Sequence, residues 1–212
     1  MDTQQISITE QGDPRKPKGE AGAEMLRRMN SSHYEVTGWA LEHFSFSPDD
    51  SVLDIGCGGG ETLHRIGKAV PEGSLYGADY SPVSISQSAL RNEDLISSGR
   101  LTLTEASVEA LPYPDNSFDK AITVECFYFW PDPAEDLKEV RRVLKSGGTL
   151  LVVADIYGGA DLDEDSLRSV EKYSLFNPTP EEFRRLLLSA GFSTVKVHTK
   201  PGTTWICAEG VK

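Results

Sequence analysis

The sequence predicts an α/β protein with a doubly wound, mostly parallel, seven-stranded sheet, and three observations carry that expectation. Short apolar runs at 51–55, 74–79, 100–106, 118–125 and 148–156 alternate with segments of helical period, and parallel neighbours need a helical crossover to bring the chain back. The first run, SVLDI, stops abruptly at CGGG, the pattern of a buried strand delivered into a glycine turn. Last, FSTVKVHT and TTWICAEG are separated only by KPG, which predicts a terminal hairpin and an antiparallel final strand. A chain of 212 residues with 38% hydrophobic and 25% charged content supports one core without metal or disulfide staples.

Residues 1–20 are polar and carry Gly12, Pro14, Pro17 and Gly19, and read as a flexible N-terminal arm before a single domain at 21–212. Residues 21–46 read as a helical cap. Their helical pattern runs from Met25 to Phe46 with a break at Asn30–Ser32, where Ser32 and Glu35 have capping-box spacing for a second helix bearing Val36, Trp39, Ala40 and Phe44. After the first strand, a helix is expected at Glu61–Ala69, another from Pro82 with Ser81 as its cap, and a third over Pro133–Leu144. Thr179, Pro180 and Glu182 open a last helix that Gly191 stops. The stretch 157–177 exceeds an ordinary connection and is acidic; it reads as either a lid insertion or a solvated excursion.

A net charge of −12, from 21 Lys and Arg against 33 Asp and Glu, has the wrong sign for neutralising phosphates, so nucleic acid is not an expected partner. The N-terminal stretch has no apolar core of a signal peptide, and no run of 18 apolar residues predicts a membrane span. Cys57, Cys126 and Cys207 lie far apart with no CxxC pair, which predicts neither a zinc site nor a disulfide framework and points to the cytoplasm. No His or acid spacing predicts a metal.

In a doubly wound sheet the ligand binds at the carboxyl ends of the strands, where strand order reverses. The first turn there reads Asp54-Ile55-Gly56-Cys57-Gly58-Gly59-Gly60-Glu61. Its spacing is GxGxG, and Glu61 stands where a dinucleotide fingerprint has its third glycine. Asp54 and Glu61 bracket the turn with negative charge, which repels a pyrophosphate. The ligand that fits approaches the backbone closely, lacks phosphate and carries a cation, as S-adenosylmethionine does. Asp79, at the end of the second strand, is placed to accept hydrogen bonds from both ribose hydroxyls. The plain alternative is glycines for tight packing and Asp79 as a helix cap.

These segments resemble the class I S-adenosylmethionine-dependent methyltransferases, in particular the small-molecule enzymes of the ubiquinone and menaquinone biosynthesis type. VLDIGCGGG (52–60) is similar to their first motif, YGADYS (76–81) to the second, ASVEALPYPDNSFDKAI (106–122) to the adenine-side loop and fourth strand, and RRVLKSGGTLLV (141–152) to the helix and strand that follow. The resemblance implies the Rossmann-like methyltransferase fold over about residues 25–212. It also implies that Asp54, Gly56 and Gly58, with Cys57 between them, line the methionine side, and that Asp79 holds the ribose beside Tyr80. Ser107 and Val108 would flank the adenine, Ser107 standing where many relatives have Asp or Asn, and Glu125 would lie near the methyl group. RMNSSHYEVTGWALEHF (28–44) is similar to the N-terminal segment of a bacterial methyltransferase subgroup that also has an FWP motif.

ECFYFWPDP (125–133) places four aromatics directly after a strand end, where they serve as core, as a wall for an apolar acceptor or as a cation-π partner of the sulfonium. A DNA amino-methyltransferase would have an Asn or Asp followed by two prolines there. For an acceptor that must lose a proton, His33, Glu125 and Tyr128 are the candidate bases, with Tyr34 behind them; Cys126 reads as a small buried residue before a nucleophile. The expected function is methyl transfer from S-adenosylmethionine to a small molecule. A non-catalytic S-adenosylmethionine binder and a nicotinamide-dependent oxidoreductase are the alternatives, and a homodimer is left open.

Overall fold

Strands β1 (Ser51–Ile55), β2 (Ser74–Asp79), β3 (Leu101–Glu105), β4 (Phe118–Val124), β5 (Leu144–Ala154), β6 (Thr194–Thr199) and β7 (Ile206–Val211) form one sheet of order β3-β2-β1-β4-β5-β7-β6. All pairings are parallel except those of β7, which runs antiparallel to both β5 and β6. This computed structural model describes residues 3–212, with side chains from Ile8 onward. Strand order reverses on either side of β1, so the open crevice lies beyond Ile55 and Asp79.

The helices are α1 (Thr3–Gly12), α2 (Gly19–Ser32), α3 (Tyr34–Leu41), α4 (Glu61–Ala69), α5 (Pro82–Arg91), α6 (Glu93–Ser97), α7 (Pro133–Val143), α8 (Glu164–Tyr173) and α9 (Pro180–Ser189). Alternation along the strands divides the core. Leu53, Ile55 and Phe118 pack with α7 and α9 on one face, while Val52 and Ile122 pack with α3 and α4 on the other. The predicted caps are present: Ser81 Oγ accepts from the Ser84 amide, and Thr179 with Glu182 closes a full capping box. β5 begins four residues earlier than its apolar run, because Leu144 pairs with Phe118 before an irregularity at Gly147 and Gly148 shifts the register.

The structure adds detail at the N-terminus and in the long connections, and it overturns one expected cap. Residues 1–20 read as a flexible arm, yet α1 occupies residues 3–12, residues 1–2 lying outside the described residues. Gly12 makes the contact: a Cβ there would stand 3.0 Å from both the Ala21 carbonyl and Met25 Sδ of α2, a closeness that polar composition does not reveal. Ser32 does not cap α3; its Oγ donates to the Met29 carbonyl at 3.3 Å, so α2 continues to Ser32 and His33 is the joint between the two helices. The stretch 157–177 contains α8, and α6 adds a helix that sequence periodicity did not predict.

Candidate active site

The glycine turn after β1 is pinned to β2 by the Gly56 and Cys57 amides, which both donate to the Ala78 carbonyl at 2.7 and 3.2 Å. Gly56, Gly58 and Gly60 take φ values of +73°, +48° and +79°, the region that favours glycine. Gly56 is doubly constrained, since a Cβ there would run into Cys126 Sγ. The turn is also bolted to the cap: Asn30 Nδ2 donates to the Gly59 carbonyl at 3.1 Å, and Leu26 packs against Gly58.

Two carboxylates dominate the charge here. Asp54 is 1% exposed and its Oδ2 has no hydrogen-bond partner; burial, and after it the neighbouring Asp79 carboxylate, push its pKa up to about 8. Asp79 accepts from the Gly58 amide through Oδ2 at 3.0 Å and from the Ser81 amide through Oδ1 at 2.9 Å. Burial raises it above the ordinary carboxylate range despite these bonds. Glu61 departs from expectation, because its carboxylate is ion-paired with Arg91 at 2.8 Å. The uncompensated acids around the turn are therefore Asp54 and Asp79 rather than Asp54 and Glu61, and only tertiary packing could bring Arg91 into place.

A cavity of 260 Å³ opens beside these acids, close to the roughly 300 Å³ at which small-molecule sites begin. Asp54, Gly56, Cys57, Gly58, Asp79, Tyr80, Ser107, Val108, Glu125 and His33 all line it. Ser107 presents its backbone more than its hydroxyl, since Oγ donates to the Glu109 carboxylate at 2.8 Å. The roof is a strap that sequence reasoning missed. Pro14, Arg15 and Pro17 line the cavity, the Tyr80 hydroxyl donates to the Arg15 carbonyl, and Ser81 Oγ donates to the Pro17 carbonyl at 2.7 Å. Segment 157–177 contributes no lining residue but braces the strap, with Arg15 donating to the Tyr173 carbonyl and Lys172 paired with Glu10.

At the other end of the cavity the three candidate bases separate into different roles. His33 and Glu125 face the cavity, whereas Tyr128 lies behind Glu125 and donates its hydroxyl to Glu125 Oε2 at 2.8 Å. Asp155, past the end of β5, completes a group in which one ligating atom each of His33, Glu125 and Asp155 lies within 4.8 Å of the others. The sequence reading passed over Asp155, although the strand-end rule that singled out Asp79 applies to it equally. Glu125 is 6% exposed and takes φ +53°, its Oε1 unpartnered. Burial, then the Asp155 carboxylate, raises the Glu125 pKa well above the ordinary value. Burial likewise raises Tyr128 and lowers His33, the latter against the pull of Asp155.

The aromatic run divides as well. Phe127 is core against Trp130 and Phe183, while Phe129, Trp130 and Pro131 reach the cavity wall. Cys126 has its thiol pushed up to about 12, chiefly by burial, which removes it as a nucleophile. Trp39 packs against His43 and Trp205 and not into the cavity. Tyr34 lines the rim beneath the Arg65 guanidinium, and no helix among the described residues is long and apolar enough to cross a membrane.

Comparison with known proteins agrees with this geometry. A methyltransferase domain family matches residues 53–152. The chain is 30% identical over 190 residues to the ubiquinone/menaquinone biosynthesis C-methyltransferase UbiE of Neisseria meningitidis, covering 77% of this chain and 75% of that protein. It is 29% identical over 154 residues to 2-methyl-6-phytyl-1,4-hydroquinone methyltransferase 1 of Oryza sativa, covering 73% and 44%. The chain spans about half the length of several curated relatives it matches, 47% of one and 44% of another. A Thermotoga maritima structure described as a possible histamine N-methyltransferase superimposes with a TM-score of 0.73 at 22% identity over 97% of this chain and 99% of that one, a likeness of fold. With 30% identity over three quarters of a UbiE-type relative, the chain belongs to the class I S-adenosylmethionine-dependent methyltransferases.

Proposed function

We propose that this chain transfers the methyl group of S-adenosylmethionine to a small-molecule acceptor. The observation that carries the reading is the buried Asp54 carboxyl beside Asp79 at a glycine turn, with its Oδ2 unpartnered, because a cationic ligand that lets Asp54 ionise supplies both the missing hydrogen bond and the missing counter-charge. S-adenosylmethionine supplies a methyl carbon already activated by its sulfonium, so the protein's task is alignment. Asp54 accepts from the ligand's ammonium, and the free lone pairs of Asp79 accept from the ribose hydroxyls. Val108 and the Ser107 backbone flank the adenine, and the Pro14–Pro17 strap excludes water above it.

His33 and Glu125 mark the acceptor end of the cavity, walled by Phe129 and Trp130, and Tyr128 orients Glu125. A roofed cavity of this size and a net charge of −12 favour a small acceptor over a polymer. Hydroquinones are the first acceptors to assay, since one similar enzyme is named for a hydroquinone and another for ubiquinone and menaquinone biosynthesis. Isothermal calorimetry of S-adenosylmethionine and S-adenosylhomocysteine on the wild type and on Asp79→Ala tests the cofactor site. Micromolar binding lost in the variant supports the reading; no binding to the wild type refutes it, and binding without turnover over a broad acceptor panel leaves a binder in place of an enzyme.

A further inference from the structure

We propose that His33, Glu125 and Asp155 form a binding site for one divalent transition-metal cation at the acceptor end of the cavity. The three come from the α2–α3 joint, the end of β4 and the end of β5, and one nitrogen and two carboxylate oxygens lie within 4.8 Å of one another. Cis ligands on a cation with bonds of about 2.1 Å stand about 3 Å apart, so a small inward movement of the side chains closes the set. Among the described residues no Lys or Arg is ion-paired with Glu125 or Asp155, and His33 is the basic side chain grouped with these two facing carboxyl groups.

The independent pointer is Glu125. It is 6% exposed, and its Oε1 has no partner, although a buried carboxylate oxygen is costly to leave unmatched. Its other oxygen is occupied by the Tyr128 hydroxyl at 2.8 Å, the outer contact that commonly fixes a ligating carboxylate. The main chain holds it there at φ +53°, tied by the Glu125 amide to the Val153 carbonyl at 3.0 Å, a conformation that a non-glycine residue retains only when its surroundings enforce it. One imidazole with two carboxylates suits Mn²⁺, Fe²⁺ or Zn²⁺ better than Mg²⁺ or Ca²⁺. Three protein ligands leave coordination positions open, and His33 and Glu125 line the cavity, so an oxygen of the acceptor or a water completes the shell there. This last step rests on the methyl-transfer reading; the metal site itself does not.

The test is titration of the EDTA-treated full chain with Mn²⁺, followed by its electron paramagnetic resonance signal, with Zn²⁺ and Mg²⁺ as competitors. One Mn²⁺ per chain is expected, displaced by Zn²⁺ well before Mg²⁺. Asp155→Asn and Glu125→Gln should each weaken it more than about 100-fold, and Tyr128→Phe, which removes only the outer contact, by about 10-fold. Thermal melts and S-adenosylmethionine calorimetry on Asp155→Asn report whether that variant is folded. Absence of Mn²⁺ and Zn²⁺ binding at millimolar metal, or equal binding by wild type and a folded Asp155→Asn, overturns the inference. Absent S-adenosylmethionine binding with stoichiometric Mn²⁺ would instead sink the methyl-transfer reading and leave the metal site standing.

Discussion

Replacing Asp54 by Asn should make the ligand-free protein more stable at neutral pH while weakening its grip on S-adenosylmethionine. In the fold, burial and Asp79 hold the Asp54 pKa at about 8 against an ordinary 3.8. Between those values the folded chain keeps a proton that the unfolded chain has released, so stability falls as pH rises, by about 1.4 kcal/mol per unit. From about pH 5 to about pH 7.5 that amounts to roughly 3 kcal/mol from this one group. Asn has the shape of the protonated carboxyl and cannot ionise, so Asp54→Asn removes this part of the slope while the parts from Asp79 and Glu125, both raised by burial, remain. Urea denaturation of both proteins across the pH range measures the difference directly. A wild type that loses stability no faster than Asp54→Asn would refute the account of a desolvated, uncompensated carboxylate. The same variant should bind S-adenosylmethionine at least about tenfold more weakly, the loss of one charge-assisted hydrogen bond of about 1.5–3 kcal/mol.

Three further outcomes follow from the same geometry. Because Asp54 is largely protonated at neutral pH and must ionise to meet an ammonium, binding should release a proton, seen as a calorimetric enthalpy that varies with the buffer's ionisation enthalpy; equal enthalpies in all buffers would contradict it. Gly56→Ala should destabilise by more than about 1–3 kcal/mol, the cost of its positive φ alone, because the new methyl also meets Cys126 Sγ; Gly56→Ala with Cys126→Ala should recover only the part due to Sγ, since the Cβ of residue 126 still stands 2.8 Å from the new methyl, and full recovery would show that neither φ nor that contact matters. Removing residues 1–18 should weaken S-adenosylmethionine binding severalfold and also lower the melting temperature, since it deletes the bonds to Tyr80 and Ser81 together with the packing of α1 on α2; unchanged affinity would show that the strap is not part of the cofactor site.

The strand run SVLDI with its glycines, and Asp79 at the next strand end, were legible because each signal is local: apolar continuity, a backbone that must turn with positive φ, a charge at a strand terminus. The acceptor end was only half legible. His33 and Glu125 stood out singly, but Asp155 lies 30 residues beyond Glu125 and His33 lies 92 residues before it, and no spacing rule joins positions that meet through a sheet crossover and a helix joint. Tyr128 shared a motif with Glu125 and so read as a rival base; its direction, behind Glu125, follows from the single 3-10 turn at Phe127–Phe129.

Local sequence thus determined the order of the strands, the glycine turn and the acids at the ends of β1 and β2, because strand propensity, glycine conformational freedom and the strand-end rule act within a few residues. Tertiary structure alone decided which charges are compensated. Arg91 neutralises Glu61 while no cation among the described residues pairs with Asp54, the polar strap of residues 13–18 becomes a roof through its backbone carbonyls, and three distant side chains converge on one point. Desolvation and electrostatic compensation depend on what surrounds a group in space, and no neighbouring residue along the chain reports that.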